Sequence, residues 1–237
     1  MVKPISTSIF ELFKIGPGPS SSHTIGPIRA ALDFVRETRS LDAATRARAD
    51  RIEVRLFGSL SATGRGHGTD RAIVAGLLNR APEDCDPDFM ASLDDKLRAG
   101  FDVEMVDARI PFRSDDLVFD RIRHDYSFSN TLVFRLFAGD EVLLERVYFS
   151  IGGGFVQCAQ KSDPPRGEPV YRYANAEELK DHLARFRIGI DRLILENEAA
   201  ITGVSEGEVF DRLDRVMDVM TGAVERGLRA TGTLPGP

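Results

Sequence analysis

Two short stretches of this sequence carry the residue types that move protons and hold small anions. The first, Ser20-Ser21-Ser22-His23-Thr24, follows Gly16-Pro17-Gly18-Pro19 and precedes a segment that reads as a helix from Thr24 to about Thr38. The second, GSLSATGRGHGTD from Gly58 to Asp70, reads as a glycine-rich loop leading into a helix from about Asp70. Each contains one of the four histidines in the chain. The first turn of a helix has free backbone N–H groups and the positive end of the helix dipole, so it receives carboxylates or phosphates. Ser20, Ser21, Ser22 and Thr24 add hydroxyl donors, and His23 adds a group that titrates near neutral pH. His67 sits between Gly66 and Gly68, free of bulky neighbours, where it can act as a general base or an orienting donor.

Taken singly, each stretch has a plainer explanation. Serine before a helix is most often a cap, and glycine is most often a turn residue. Neither stretch is a phosphate-binding GxxxxGK[ST] loop or a GxGxxG dinucleotide fingerprint. Two such junctions in one small domain, each with a histidine, shift the balance toward a small-anion site. The other histidines are weaker candidates: His124 falls in a strand-like run and His182 in a charged helix. The acidic pairs Asp94-Asp95, Asp115-Asp116 and Glu177-Glu178 read as solvated faces.

The elements that must position these residues follow from the periodicity. ISTSIFELFK (residues 5–14) suits a short helix capped by Ser6 or Ser8. RIEVRLFGS alternates as a strand, and DPDFMASLDDKLRAG as a helix capped by Asp86. Strand signals dominate from Phe101 to Val156, including runs through DLVFDRIRH and a hairpin about Ala138-Gly139-Asp140-Glu141. Residues 161–174 read as a linker, rich in proline and charge. Beyond it the chain turns helical, and Val209, Leu213, Val216, Met217, Met220, Ala223 and Val224 form an apolar stripe behind Ser205 as N-cap. The expected class is therefore α+β, a sheet domain over residues 1–160 followed by a helical segment over 175–237.

The 237 residues, 42% apolar and 29% charged, suffice for a real core. A net charge of −6 without a basic run gives no support to nucleic-acid binding. No stretch has the roughly 20 apolar residues of a membrane span and no signal peptide opens the chain, so the expected location is the cytoplasm. Cys85 and Cys158 lie far apart and form no CxxC pair.

The stretches SIFELFKIGPGPSSSHTIGPIRAA, GSLSATGRGHGTD and YFSIGGGFV resemble, in order and spacing, the N-terminal β part of iron–sulfur L-serine dehydratases. MTGAVERGLRATGTLPG is similar to the opening of that family's helical α domain. The resemblance implies a mixed or antiparallel sheet with helices on one face, similar to an allosteric substrate-binding domain. It implies elimination of water from L-serine to give pyruvate and ammonia, with a [4Fe–4S] cluster and no pyridoxal phosphate. Its cluster ligands would lie outside this chain, in an α domain or α subunit that is the implied partner; a homo-oligomer is also expected. On the family pattern His67 is the preferred base and His23 the second candidate. Ser20, Ser21, Ser22, Thr24, Thr63, Gly66, Gly68, Thr69 and Asn130 line the substrate. No metal ligand is expected in this chain. Where the family has a histidine before its Asn-Gly element, this sequence has Phe128, and His124 lies four residues upstream. That departure leaves open another β-substituted amino acid as substrate. A non-catalytic domain sensing a small acid, and a purely structural dimerisation domain, are the competing readings.

Overall fold

The computed structural model describes residues 4–162 and 166–232. The chain divides into two compact units, Gly16–Asp163 and Met1–Ile15 with Pro164–Pro237.

The first unit is built on a five-stranded sheet of order β4-β1-β5-β6-β7, with β1 Arg51–Phe57, β4 Leu117–Phe119, β5 Thr131–Ala138, β6 Glu141–Gly152 and β7 Phe155–Cys158. β1 and β4 run parallel and the other pairs antiparallel, so the sheet is mixed. The alternation in β1 sends Ile52, Val54 and Leu56 to one face. They pair across to Leu136, Phe134 and Leu132 of β5. Against that face pack Ala30, Ala31, Phe34 and Val35 of helix α2 (Ile25–Ser40), and Ile73 and Leu77 of helix α5 (Thr69–Leu77). Gly76 lets α5 lie close against α2, because a Cβ there would stand 2.4 Å from the Ile28 carbonyl oxygen. The opposite face carries a small cluster of Phe57, Val133, Val147 and Phe149. Beside it Arg55 and Arg135 pair with Glu53, Asp120 and Glu145. Helix α3 (Ala43–Arg48) precedes β1, and helix α6 (Pro87–Ala99), capped by Asp86, leads into a separate hairpin of β2 (Phe101–Glu104) and β3 (Arg109–Phe112).

Two local expectations are corrected. The glycine-rich stretch after β1 is not a loop: Ser59–His67 forms helix α4, and Gly68, at φ 72°, breaks it from α5. The expected strand through DLVFDRIRH stops at Phe119; the Asp120 N–H still donates to the Leu56 carbonyl and the Arg121 carbonyl accepts from the Gly58 N–H, and residues 122–130 form no strand. This segment lays the rings of His124 and Tyr126 against Phe57 at 5.7 and 5.1 Å.

The second unit is helical. Helix α1 (Ile9–Leu12) is capped by Ser8, with Glu11 completing a capping box. The buried carboxylate of Glu198 accepts from the Ser8 hydroxyl and from the Ile9 N–H. Glu198 belongs to helix α8 (Ile190–Thr202), which follows helix α7 (Ala176–Phe186). Helix α9 (Glu206–Arg229) is capped by Ser205 and buries only Val209 among its described residues. Phe210, Met217, Met220, Val224 and Leu228 are exposed along one side of it. No helix among the described residues is long and apolar enough to cross a membrane.

Candidate active site

The two histidine-bearing junctions meet. His23 closes the turn before α2, and His67 ends α4. Their rings lie with centroids 4.7 Å apart and planes tilted by 41°. The meeting depends on close backbone approach. Gly58, which starts α4, has φ 61° and ψ −129°, and a Cβ there would stand 1.9 Å from the Ser129 carbonyl oxygen. Gly26, in the first turn of α2, leaves room for Ser150 Oγ, which would lie 2.1 Å from its Cβ. That Ser150 hydroxyl donates to the Ser22 carbonyl at 2.8 Å and ties the turn to the sheet.

His23 is buried, at 7% exposure. Its Nδ1 faces Ser22 Oγ at 3.0 Å and Ser20 Oγ at 3.5 Å. Its Nε2 faces Thr63 Oγ1 at 3.1 Å and Ser59 Oγ at 3.3 Å. His67 is half-buried and donates from Nδ1 to the Thr63 carbonyl at 2.8 Å. A carbonyl only accepts, so the neutral His67 ring carries its proton on Nδ1 and its lone pair on Nε2. Nε2 has no hydrogen-bond partner among the described residues. An imidazole held in this way can take a proton from a bound molecule.

Burial holds the His23 imidazole below the ordinary histidine range, and charge on His67 pushes the same way; the Ser59 backbone carbonyl opposes both. Burial also raises Asp70, in the first turn of α5, with Asp94 adding to the effect and the Arg71 N–H opposing it. A histidine with a lowered folded pKa is bound more tightly as the neutral ring. The unfolded chain therefore takes up more protons, and the stability His23 confers is present above about 6.5, the unfolded value. It is lost as pH falls through the lower folded value. Thermal melting from pH 7 to pH 5 should show a steeper loss for the native chain than for His23→Phe. Parallel curves would contradict this.

The other expected residues divide. Ser20, Ser22 and Thr63 touch His23 directly. The Thr24 hydroxyl turns inward, 2.6 and 2.8 Å from the Pro17 and Ser20 carbonyls, and the Thr69 hydroxyl donates to the His23 carbonyl at 2.8 Å. Ser21 accepts the Gly26 N–H on its carbonyl. Gly66 has open space in its Cβ direction. Asn130 donates from Nδ2 to the Ser150 carbonyl at 3.2 Å, while its Oδ1 is buried without a hydrogen-bond partner among the described residues. Sequence reasoning passed over Ser59 as a partner of His23 and Ser150 as the link to the sheet. His124 has both nitrogens engaged, Nε2 donating to the Ser129 carbonyl at 3.3 Å and Nδ1 accepting from the Tyr126 N–H at 3.2 Å.

The profile of one protein family, described as the serine dehydratase beta chain, matches residues 8–161, a span holding both histidines and Asn130. The chain belongs to the serine dehydratase beta-chain family. It is 35% identical to L-serine dehydratase 2 of Escherichia coli K12 over 242 residues, covering 97% of this chain and 50% of that protein. It is 36% identical to an L-serine dehydratase of Mycobacterium bovis over 245 residues, covering 98% and 50%. With one from Streptomyces coelicolor it shares 33% over 240 residues, covering 98% and 52%. The chain thus spans about half the length of the curated relatives it matches. No group of three or more His, Cys, Asp or Glu is arranged to hold a metal among the described residues. Cys85 and Cys158 are both buried. Burial pushes the Cys85 thiol up to about 11, and it donates to the Ala81 carbonyl.

Proposed function

We propose that this chain is the β part of an L-serine ammonia-lyase of the iron–sulfur type, acting with an α part that corresponds to the other half of its relatives. The observation that carries the reading is the paired His23 and His67, with His67 Nε2 unpartnered among the described residues and able to accept. His67 removes the α-proton of L-serine, and the C–H electron pair forms the Cα=Cβ bond as the β-hydroxyl departs. Hydrolysis of the resulting enamine, through its imine, yields pyruvate and ammonia. The [4Fe–4S] cluster that the resemblance implies would be held by the α part, and departure of the hydroxyl falls to groups outside this chain. The serine turn and the glycine-flanked histidine line the substrate from the β side.

Asn130 Oδ1 supports an amino-acid substrate. A buried acceptor left unpaired costs about 1–3 kcal/mol, and a substrate ammonium group is a donor that matches it. Asn130→Ala should raise KM for L-serine roughly ten- to a hundredfold, from the about 1.5–3 kcal/mol of one hydrogen bond to a charged group, with kcat changed less. An unchanged KM would remove Asn130 from the substrate site.

The helical segment supports the α partner. Phe210, Met217, Met220, Val224 and Leu228 recur at helical spacing and are 51–83% exposed, an apolar face of the kind that marks an interaction site. Co-expressed with the α part, the chain should co-purify as a complex, and Met217→Ser, Met220→Ser and Val224→Ser together should abolish it. A native chain that never associates with the α part would overturn this assignment.

A further inference from the structure

The hydroxyl groups around His23 have a direction. A hydroxyl has one proton to give. Thr63 Oγ1 donates to the Ser59 carbonyl at 3.0 Å, because that carbonyl only accepts. The same oxygen, 3.1 Å from His23 Nε2, therefore accepts from the ring. His23 is then the Nε2–H tautomer, and its Nδ1 accepts from the Ser22 hydroxyl at 3.0 Å. Ser20 completes the series as donor to Ser22 Oγ at 3.3 Å. A neutral His23 ring is thus fully satisfied inside the protein. His67 is the opposite tautomer, anchored by Nδ1–H to the Thr63 carbonyl. Thr69, completely buried, donates to the His23 carbonyl at 2.8 Å. Residues 63 and 69 bracket Gly66-His67-Gly68, where the glycines give the histidine no side-chain support of their own.

We infer that His23 is a positioning residue for His67: Thr63 grips its ring and Thr69 its main-chain carbonyl, so both flanks of the glycine-held histidine are tied to one buried residue. This rests on the reading of His67 as the base. It gives His23, Thr63 and Thr69 a task other than the substrate contacts that the family pattern implies.

Histidine labelled with ¹⁵N in the 237-residue chain reports the tautomers directly. The expected spectrum has His23 protonated on Nε2 and His67 on Nδ1. Thr63→Val should move His67 toward the mixed tautomers of a free imidazole, and Thr63→Ser should restore the native pattern. In the complete enzyme Thr63→Val should lower kcat roughly 10–100-fold, the scale of a misplaced catalytic group, with KM changed less than about twofold on the same argument. Thr63→Ser should regain most of the loss. Should the valine variant fail to fold, His23→Phe keeps the bulk of the ring, removes both nitrogens and gives the same readings. An unchanged His67 spectrum in Thr63→Val or His23→Phe overturns the inference whatever the activity. A raised KM with intact kcat also overturns it, since that marks direct substrate contact. If instead the spectra behave as expected and His67→Ala leaves kcat intact, the base reading fails while the tie between the histidines stands.

Discussion

Replacing His67 with alanine in the complete two-part enzyme should lower kcat by roughly 10²–10⁴-fold, the usual worth of a general base, with a smaller change in KM. The size follows from where the ring sits. Nδ1–H is fixed to the Thr63 carbonyl at 2.8 Å, so Nε2 is the basic atom and its direction is set before substrate arrives. A group that acts only as the C–H bond breaks stabilises the transition state and not the bound substrate, so its loss lowers kcat and kcat/KM together. His67→Gln keeps a polar side chain without a basic nitrogen and should fall nearly as far. A loss confined to KM would instead make His67 a binding group.

The second large effect is on folding. Gly58→Ala should lower the thermal midpoint of the chain by roughly 5–15 °C. Two costs add. The backbone at φ 61° and ψ −129° is foreign to L-residues, and such strain costs about 1–3 kcal/mol. The new methyl would also stand 1.9 Å from the Ser129 carbonyl oxygen and 2.8 Å from His124 Nε2, overpacking that costs a further 1–3 kcal/mol or so. For a chain of this size each kcal/mol moves the midpoint by about 2–4 °C. Gly66→Ala is the contrast. It lies within α4 with nothing near its Cβ direction, so helix propensity should raise the midpoint slightly. If both variants melt alike, the close approach of residues 58 and 129 does not govern stability.

Much of the fold was legible where one rule decided the outcome. The alternation of Ile52, Val54 and Leu56 located β1, the Gly139-Asp140 turn located the hairpin, and Asp86 and Ser205 marked helix starts that the structure retains. Helix α4 was not legible, because Gly64 and Gly66 lie inside it and each weakens a helix. The reason for Gly64 is tertiary: a Cβ there would lie 3.1 Å from Thr69 Oγ1 and 3.2 Å from the Phe119 ring. The run DLVFDRIRH read as a strand through His124, yet its backbone bonds to the β1 end stop at Arg121, and beyond that Ser129 is held against Gly58. The grouping of residues 1–15 with the helical segment rests on contacts 190 positions apart in sequence, such as Ser8 with Glu198, and no local pattern carries that. Both histidines stood out by type and setting. Their pairing across 44 positions, and Thr63 as the bridge between them, required the packing of α2 against α5.

Pyruvate release from L-serine under anaerobic conditions, by each half alone and by the two halves together with the cluster assembled, decides whether this chain supplies the β side of a serine-eliminating site. Expected are pyruvate and ammonia in equal amounts from the complete enzyme, none from either half, and a rate reduced roughly 10²–10⁴-fold when the β half carries His67→Ala. A complete, cluster-loaded complex that releases no pyruvate from L-serine, or one indifferent to His67→Ala, would contradict it.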